Sequence, residues 1–316
     1  MSTNRKWIPA RKTHLHYYDD IPLYYRTPSG NISLYKPAGL SFTHESLERK
    51  YAIDEFFIHP KNRLESIEAA QKGFNSELKS HYTNSDITDL KNSLTDLVEE
   101  TLTAPRAGGL ARVPQTVNQL VDGFSFNPTV IRNLAKISFN DYTTALHSIN
   151  VMALTLGYCY YVSLPEDETR KLGLAALLHD VGKTEIPAHI LKASRPLTDK
   201  EFEKVKSHTT LGYEILNAYK EDEISEASLA CIEHHEKLDG SGYPEGKQII
   251  SYMGRVLAIV DCYEAITNDD RPYRTALSPL NALELIKKDV DDGKLDAEIF
   301  RDFAYSLTNF DKRKLK

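Results

Sequence analysis

Cysteine is scarce in this chain: Cys159, Cys231 and Cys262 are the three present in 316 residues, and they form no Cys-x-x-Cys pair. An odd number without paired spacing argues against a disulfide framework and reads as reduced thiols of a cytosolic protein. A basic surplus is also missing, since 39 Lys and Arg face 45 Asp and Glu, for a net charge of −6. Broad binding to nucleic-acid polymers through phosphate is thereby disfavoured, and any anionic ligand must be drawn by a local field. Long apolar runs are absent too. Tyr142 to Pro165 carries no Asp, Glu, Lys or Arg, but His147, Ser148, Asn150, Thr155 and Gly157 interrupt it, whereas a membrane span needs about 20 mainly apolar residues. A buried core helix is expected, with no membrane insertion. The N-terminus shows no apolar segment of signal-peptide type. What remains is ordinary globular material, 41% hydrophobic and 27% charged, in a length that suggests about two domains.

Ile21 to Tyr25 and Ile32 to Tyr35 flank the turn signal Pro28-Ser29-Gly30 and predict a hairpin. Helical patterning over 44–50, a strand at Phe56-Phe57-Ile58 and a polar helix from Lys61 to His81 complete a small α+β regulatory or sensor domain over residues 1–82. A helical linker and break follow over 83–117. Ile87, Leu90, Leu94, Leu97 and Thr101 recur at three and four residues, which suits a packed linker helix or, over 86–102, a narrow coiled-coil seam for a homodimer. Fewer than three heptads favour the packed helix. Ala104 to Thr116, with Pro105, Gly108, Gly109 and Pro114, marks the boundary. Residues 118–316 are patterned as helix nearly throughout. Asn127-Pro128 and Ser278-Pro279 are cap-then-proline signals, and Ser163 with Glu166 and Thr198 with Glu201 match capping boxes. An all-α helical bundle is expected there.

His147, His179, His208, His234 and His235 fall within these helices, joined by Asp180 and Asp261. A lone helical histidine is more often a surface or satisfied core residue, but these settings are apolar. His208 shares a helical face with Phe202, Val205 and Leu211 or Ile215. His179-Asp180 ends the run Leu172 to Leu178 where Val181-Gly182 breaks the helix, His234-His235 ends the helix of Leu229 and Ile232, and Asp261 closes Val256 to Val260. Burying such groups is costly without partners. Divalent metal resolves the cost: imidazole suits Fe, Mn, Zn or Ni, a carboxylate can bridge, and this ligand set exceeds the needs of one ion. Two ions would also supply the positive field that the acidic chain lacks.

His179-Asp180-Val181-Gly182-Lys183 matches an HDxGK signature. His234-His235-Glu236 followed by Asp239 to Pro244 matches HHE and GYP motifs, and Asp261 precedes Arg271-Pro272-Tyr273-Arg274. In this order, over about residues 126 to 310, these segments resemble the HD-GYP subfamily of the HD phosphohydrolase superfamily. The resemblance implies a helical, metal-dependent phosphodiesterase that opens cyclic di-GMP to linear pGpG, with GMP as a further product. It implies His147, His179, Asp180, His208, His234, His235 and Asp261 as ligands of two divalent ions, Fe or Mn, with Asp180 bridging. Lys183 would contact the scissile phosphate, where its ammonium offsets charge on the leaving oxygen, and Arg271 and Arg274 would grip phosphate or guanine. Tyr243, in a loop that Gly240 and Gly242 free and Pro244 fixes, would meet a base. Two departures stand out. The position four residues before His147, a glutamate in members that bind a third metal, is Thr143, which implies a two-metal site. Glu264-Ala265 stands where the family usually shows a DA-type segment, and the stretch before Arg271 looks one residue longer.

The N-terminal region resembles the short strand-strand-helix-strand modules found ahead of HD-GYP domains in some bacterial proteins, most clearly at Asp20 to Tyr25. His14, His16, His44 and His59 show no metal-ligand spacing and are expected at the surface. A signalling partner would engage this domain or the GYP loop. Two rival functions remain: a non-catalytic effector that binds a cyclic dinucleotide, and an HD-type phosphohydrolase for another cyclic dinucleotide or nucleotide. The full ligand set and Lys183 weigh against the first, and the GYP and RPYR segments against the second.

Overall fold

The computed structural model describes residues 7–41, 53, 55–84, 87–126, 143–268 and 276–308. The chain forms two compact units, Met1–Arg112 and Val113–Lys316.

In the first unit, β1 (Ile8–Ala10), β2 (Leu23–Arg26), β3 (Ile32–Lys36) and β4 (Phe56–Ile58) make an antiparallel sheet in the order β1-β4-β2-β3. The β2-β3 hairpin turns where Pro28-Ser29-Gly30 predicts it, with Gly30 at a φ of +85° that suits glycine. A 3-10 turn (Pro60–Asn62), capped by the side chain of His59, leads into α1 (Arg63–Asn84), and α2 (Ile87–Thr101) follows. The seam residues Leu90, Leu94, Leu97 and Thr101 are buried within the chain, where α2 packs on α1. The apolar stripe is thus satisfied as a packed helix. β1 and the 3-10 helix Lys12–Tyr17 were not expected from the sequence, and the expected helix over 44–50, with His44, lies outside the described residues. His14 corrects an expectation: it is fully buried, with Nδ1 2.5 Å from Glu100 Oε2. The partner sits 86 residues away in sequence, so local spacing carries no trace of it.

The second unit contains α3 (Val113–Phe126), α4 (Thr144–Tyr161), α5 (Glu166–Leu178), α6 (Ala188–Leu191), α7 (Asp199–Lys206), α8 (His208–Asn217), α9 (Asp222–Glu233), α10 (Tyr252–Thr267), α11 (Pro279–Asp291) and α12 (Ala297–Ser306). No strand occurs among its described residues. The division at Arg112/Val113 falls inside the stretch expected to be linker and break, so α2 lies in the first unit and α3 in the second. Thr198 and Glu201 form the expected capping box, and Ser278 caps α11 ahead of Pro279. Ser163 and Glu166 do not: Ser163 adopts a φ of +57° and α5 begins after Pro165 without a side-chain cap. The turn that ends α4 takes the backbone that the cap would need. Asn127-Pro128 lies outside the described residues. α4 is buried on almost every side, as its lack of charge predicts, and among the described residues no helix is long and apolar enough to cross a membrane.

Candidate metal centre

Each ligand candidate stands where an apolar element ends or faces inward. α4 delivers His147; α5 buries Leu172 to Leu178 and ends at His179, its C-cap, with Asp180 next. The 3-10 turn Val181–Glu185 then runs against the start of α8, where a Cβ added to Gly182 would lie 2.0 Å from the His208 carbonyl oxygen and 2.6 Å from the Gly212 nitrogen. Only glycine allows that approach. Gly212 in turn packs on Cys231 of α9, whose end carries His234 and His235. Asp261 comes from α10. The single apolar face predicted around His208 is not observed: Phe202 is 47% exposed, because α7 stops at Ser207 and α8 starts afresh with its own buried face of His208, Thr209, Gly212, Ile215 and Leu216. Leu229 is likewise exposed; the inner face of α9 is Ile224, Ala227, Ala230 and Cys231.

The seven candidates converge. His147, His179 and Asp261 offer donor atoms within 4.8 Å of one another, as do His208, His234 and His235, and Asp180 stands between the groups. Its Oδ2 lies 3.2 Å from His147 Nε2 and 3.4 Å from His179 Nε2, while its Oδ1 lies 3.3 Å from His208 Nε2 and 3.9 Å from His234 Nε2. His147 Nε2 also lies 3.0 Å from Asp261 Oδ1. His179 Nε2 and Asp180 Oδ1 are buried with no hydrogen-bond partner among the described residues, a costly state for polar atoms unless a further group takes them up. Divalent ions fit this donor set: one on each side of Asp180 would engage those atoms.

Electrostatics agree with the donor roles of His208, His234, His235, Asp180 and Asp261 and run against that of His147. Burial pushes His208 down to about 4 and His235 down to about 3, and burial followed by neighbouring imidazoles lowers His234, so these rings are neutral and able to donate a lone pair. Burial also opposes charge on Asp180 and Asp261, but Lys183 and His179 hold the first, and His147 and His179 the second, well below the usual carboxylate range. For His147, burial opposes the charged form, yet Glu264, Asp180 and Asp261 prevail and raise it.

The outer contacts orient the rings. Nδ1 of His179, His208 and His234 each lies 2.7 Å from a backbone carbonyl, of Ala176, Val205 and Ala230, whereas Nδ1 of His147 lies 2.6 Å from Glu264 Oε2. Glu264 Oε1 accepts from Asn150 Nδ2 at 2.9 Å and Asn268 Nδ2 at 2.8 Å. The sequence offered this cluster and it was missed: Asn150 follows His147, and Glu264 follows Asp261, by three residues on one helical face. Glu236, fully buried, accepts from the amides of Glu245 and Lys247 at 2.7 and 3.0 Å and so clamps the GYP loop. Tyr243 of that loop stacks on His235, and Lys206 Nζ lies 5.5 Å from the Tyr243 ring centroid. Lys183 donates to Asp180 Oδ2 and stays partly exposed. Thr143 caps α4 through Leu146 N. Arg271 and Arg274 lie outside the described residues.

The profile of the family described as HD domain matches residues 127–299, more than half of the sequence, and the chain belongs to that family. Its motifs are of the HD-GYP type. "Cyclic di-GMP phosphodiesterase PA4108" of Pseudomonas aeruginosa is 34% identical over 200 residues, covering 62% of this chain and 47% of that protein. "3'3'-cGAMP-specific phosphodiesterase 1" of Vibrio cholerae is 32% identical over 162 residues, covering 50% of this chain and 36% of that one. The chain spans less than half the length of these relatives. In three dimensions it is similar to "Bd1817, a HDG"Y"P protein from Bdellovibrio bacteriovorus", with a TM-score of 0.64 and 16% identity over 96% of this chain and 100% of that one. At that identity the likeness is one of fold.

Proposed function

We propose that this chain is a metal-dependent phosphodiesterase that hydrolyses cyclic di-GMP to linear pGpG, with GMP as a further product. The observation that carries the reading is Asp180, whose two oxygens face separate histidine groups. Two divalent ions, Fe or Mn, would supply Lewis acidity toward a phosphodiester and bring the pKa of water toward neutrality. His147, His179 and Asp261 would hold one ion, and His208, His234 and His235 the other. Asp180 stands between the two groups. Lys183, anchored on Asp180 and partly exposed, places an ammonium at the edge of the centre, where it can offset charge on a phosphate oxygen. Tyr243 keeps the His235 ring in place and lends an aromatic surface for a base. Arg271 and Arg274 are proposed to grip phosphate or guanine. The free thiols Cys159, Cys231 and Cys262 suit a cytoplasmic setting.

The names of three Vibrio cholerae relatives favour a second reading, in which the preferred substrate is 3'3'-cGAMP, whereas a fourth from that organism is named a cyclic di-GMP phosphodiesterase. Purified protein loaded with Mn(II) or Fe(II) and offered cyclic di-GMP, 3'3'-cGAMP and cyclic di-AMP in parallel separates the two by kcat/KM. Binding of cyclic di-GMP without turnover under either metal would instead make the chain an effector.

A further inference from the structure

The two halves of the candidate centre are not chemically equal. Among the described residues the first half joins His147 and His179 to Asp261 and Asp180 Oδ2, while the second joins three histidines to Asp180 Oδ1 alone. The outer contacts widen the difference. Of the ligand histidines with a described Nδ1 contact, His147 meets a carboxylate and the others meet backbone carbonyls. Glu264 is 3% exposed, and such a carboxylate is retained in a core only if its oxygens are engaged. Asn150 comes from the helix that carries His147, and Asn268 from the end of the helix that carries Asp261 and Glu264, so the clamp ties the two ligand-bearing helices together. A carboxylate behind an imidazole fixes which nitrogen faces the ion and raises its basicity. Added negative charge in a buried setting also strengthens attraction for a dication.

We infer that Glu264, steadied by Asn150 and Asn268, is a positioning residue that makes the His147–Asp261 half the tighter of two unequal ion sites. The inference rests on the two-ion reading above. The hydrogen bond to Glu264 holds His147 Nε2 toward the site, and the half with more carboxylate fills first. The second half, built mainly of imidazoles, fills later.

The test uses metal-stripped, full-length protein titrated with Mn(II), with affinities read by calorimetry and bound ion counted by electron paramagnetic resonance. Wild type should show two classes of site. Glu264→Gln, which keeps the shape and removes the charge, should weaken the tighter class ~10- to 100-fold and leave the weaker one unchanged. Glu264→Asp should recover part of that loss. His208→Ala should do the reverse, removing the weaker class and sparing the tighter. If Glu264→Gln loses helical circular dichroism, Asn268→Ala replaces it and should give a smaller loss in the same class. Two equal classes in the wild type, or a loss that falls on the weaker class, would overturn the inference and leave the phosphodiesterase reading standing. A wild-type protein that takes up no Mn(II) would remove both.

Discussion

Tyr243 lies nearly flat on His235, with ring centroids 4.7 Å apart and planes 28° from parallel, and its amide donates to the His235 carbonyl at 3.1 Å. The GYP aromatic therefore supports a candidate ligand histidine from outside the centre. Such a stack contributes ~0.5–1.5 kcal/mol. Tyr243→Phe preserves it and should keep hydrolysis of cyclic di-GMP within a few-fold of wild type. Tyr243→Ala should lower kcat roughly tenfold, the equivalent of about 1.4 kcal/mol, and loosen the ion held by His235. Equal activities for Phe and Ala would show that the stack has no such role.

Asp180 serves both halves of the centre, so its loss should not behave like the loss of one ligand. Asp180→Ala is expected to abolish hydrolysis and to reduce bound metal from two ions to one or none by elemental analysis, with helix content kept. A metal-replete, active Asp180→Ala protein would overturn the proposal that Asp180 is shared by two ions.

Acid should act through the imidazoles. Burial depresses His208 to about 4 and His235 to about 3, whereas in the unfolded chain histidine titrates near 6.5. Between those values the unfolded state binds more protons than the folded one, so stability of the metal-stripped protein should fall as pH drops from about 6.5 toward 4. Bound metal moves in the same direction, because ligand nitrogens must be neutral. His147 has the opposite shift: Glu264 and the two aspartates overcome its burial and favour its proton, which an ion must expel. Activity and bound metal measured together from about pH 8 to pH 5 should decline in parallel, with the limb moving to lower pH as Mn(II) is added. Calorimetry in buffers of differing ionisation enthalpy should also register proton release on loading at pH 7; identical heats in every buffer would contradict the His147 assignment.

Glu236 uses both carboxylate oxygens as acceptors for backbone amides of the GYP loop. Glutamine can accept through one oxygen only and turns its amino group toward the second amide. Glu236→Gln should therefore cost ~1–3 kcal/mol in denaturant unfolding and speed hydrogen exchange at Glu245 and Lys247. Unchanged exchange at both amides would mean that the loop is held by other contacts.

Much of this was legible in the sequence because its signals are local. Pro28-Ser29-Gly30 writes its own turn, Thr198 and Glu201 write a cap, and an uncharged segment around His147 predicts a helix with no solvent face. The convergence of the candidate ligands was readable for a related reason: imidazoles and carboxylates at the ends of apolar runs need partners, and the HDxGK and HHE segments point to which ones. What stayed hidden depends on contacts distant in sequence. His14 looked like a surface residue because Glu100 is far along the chain. Phe202 and His208 looked like one face because helical spacing cannot register the restart at Ser207. Glu264 looked like a departure from a pattern until His147 was seen beside it.

Gly182 sets a limit on how this centre can vary. The backbone after Asp180 already touches the backbone of α8 at His208 and Gly212, so the spacing of that turn from α8 is gauged by main chain against main chain. A gauge of that kind cannot be shortened, and it lengthens only when something is wedged into it. Substitutions in the surrounding apolar side chains can trade volume among themselves without resetting the distance from His179 to His208. A single methyl group at residue 182 cannot be absorbed that way, because it would enter between the turn and α8 themselves.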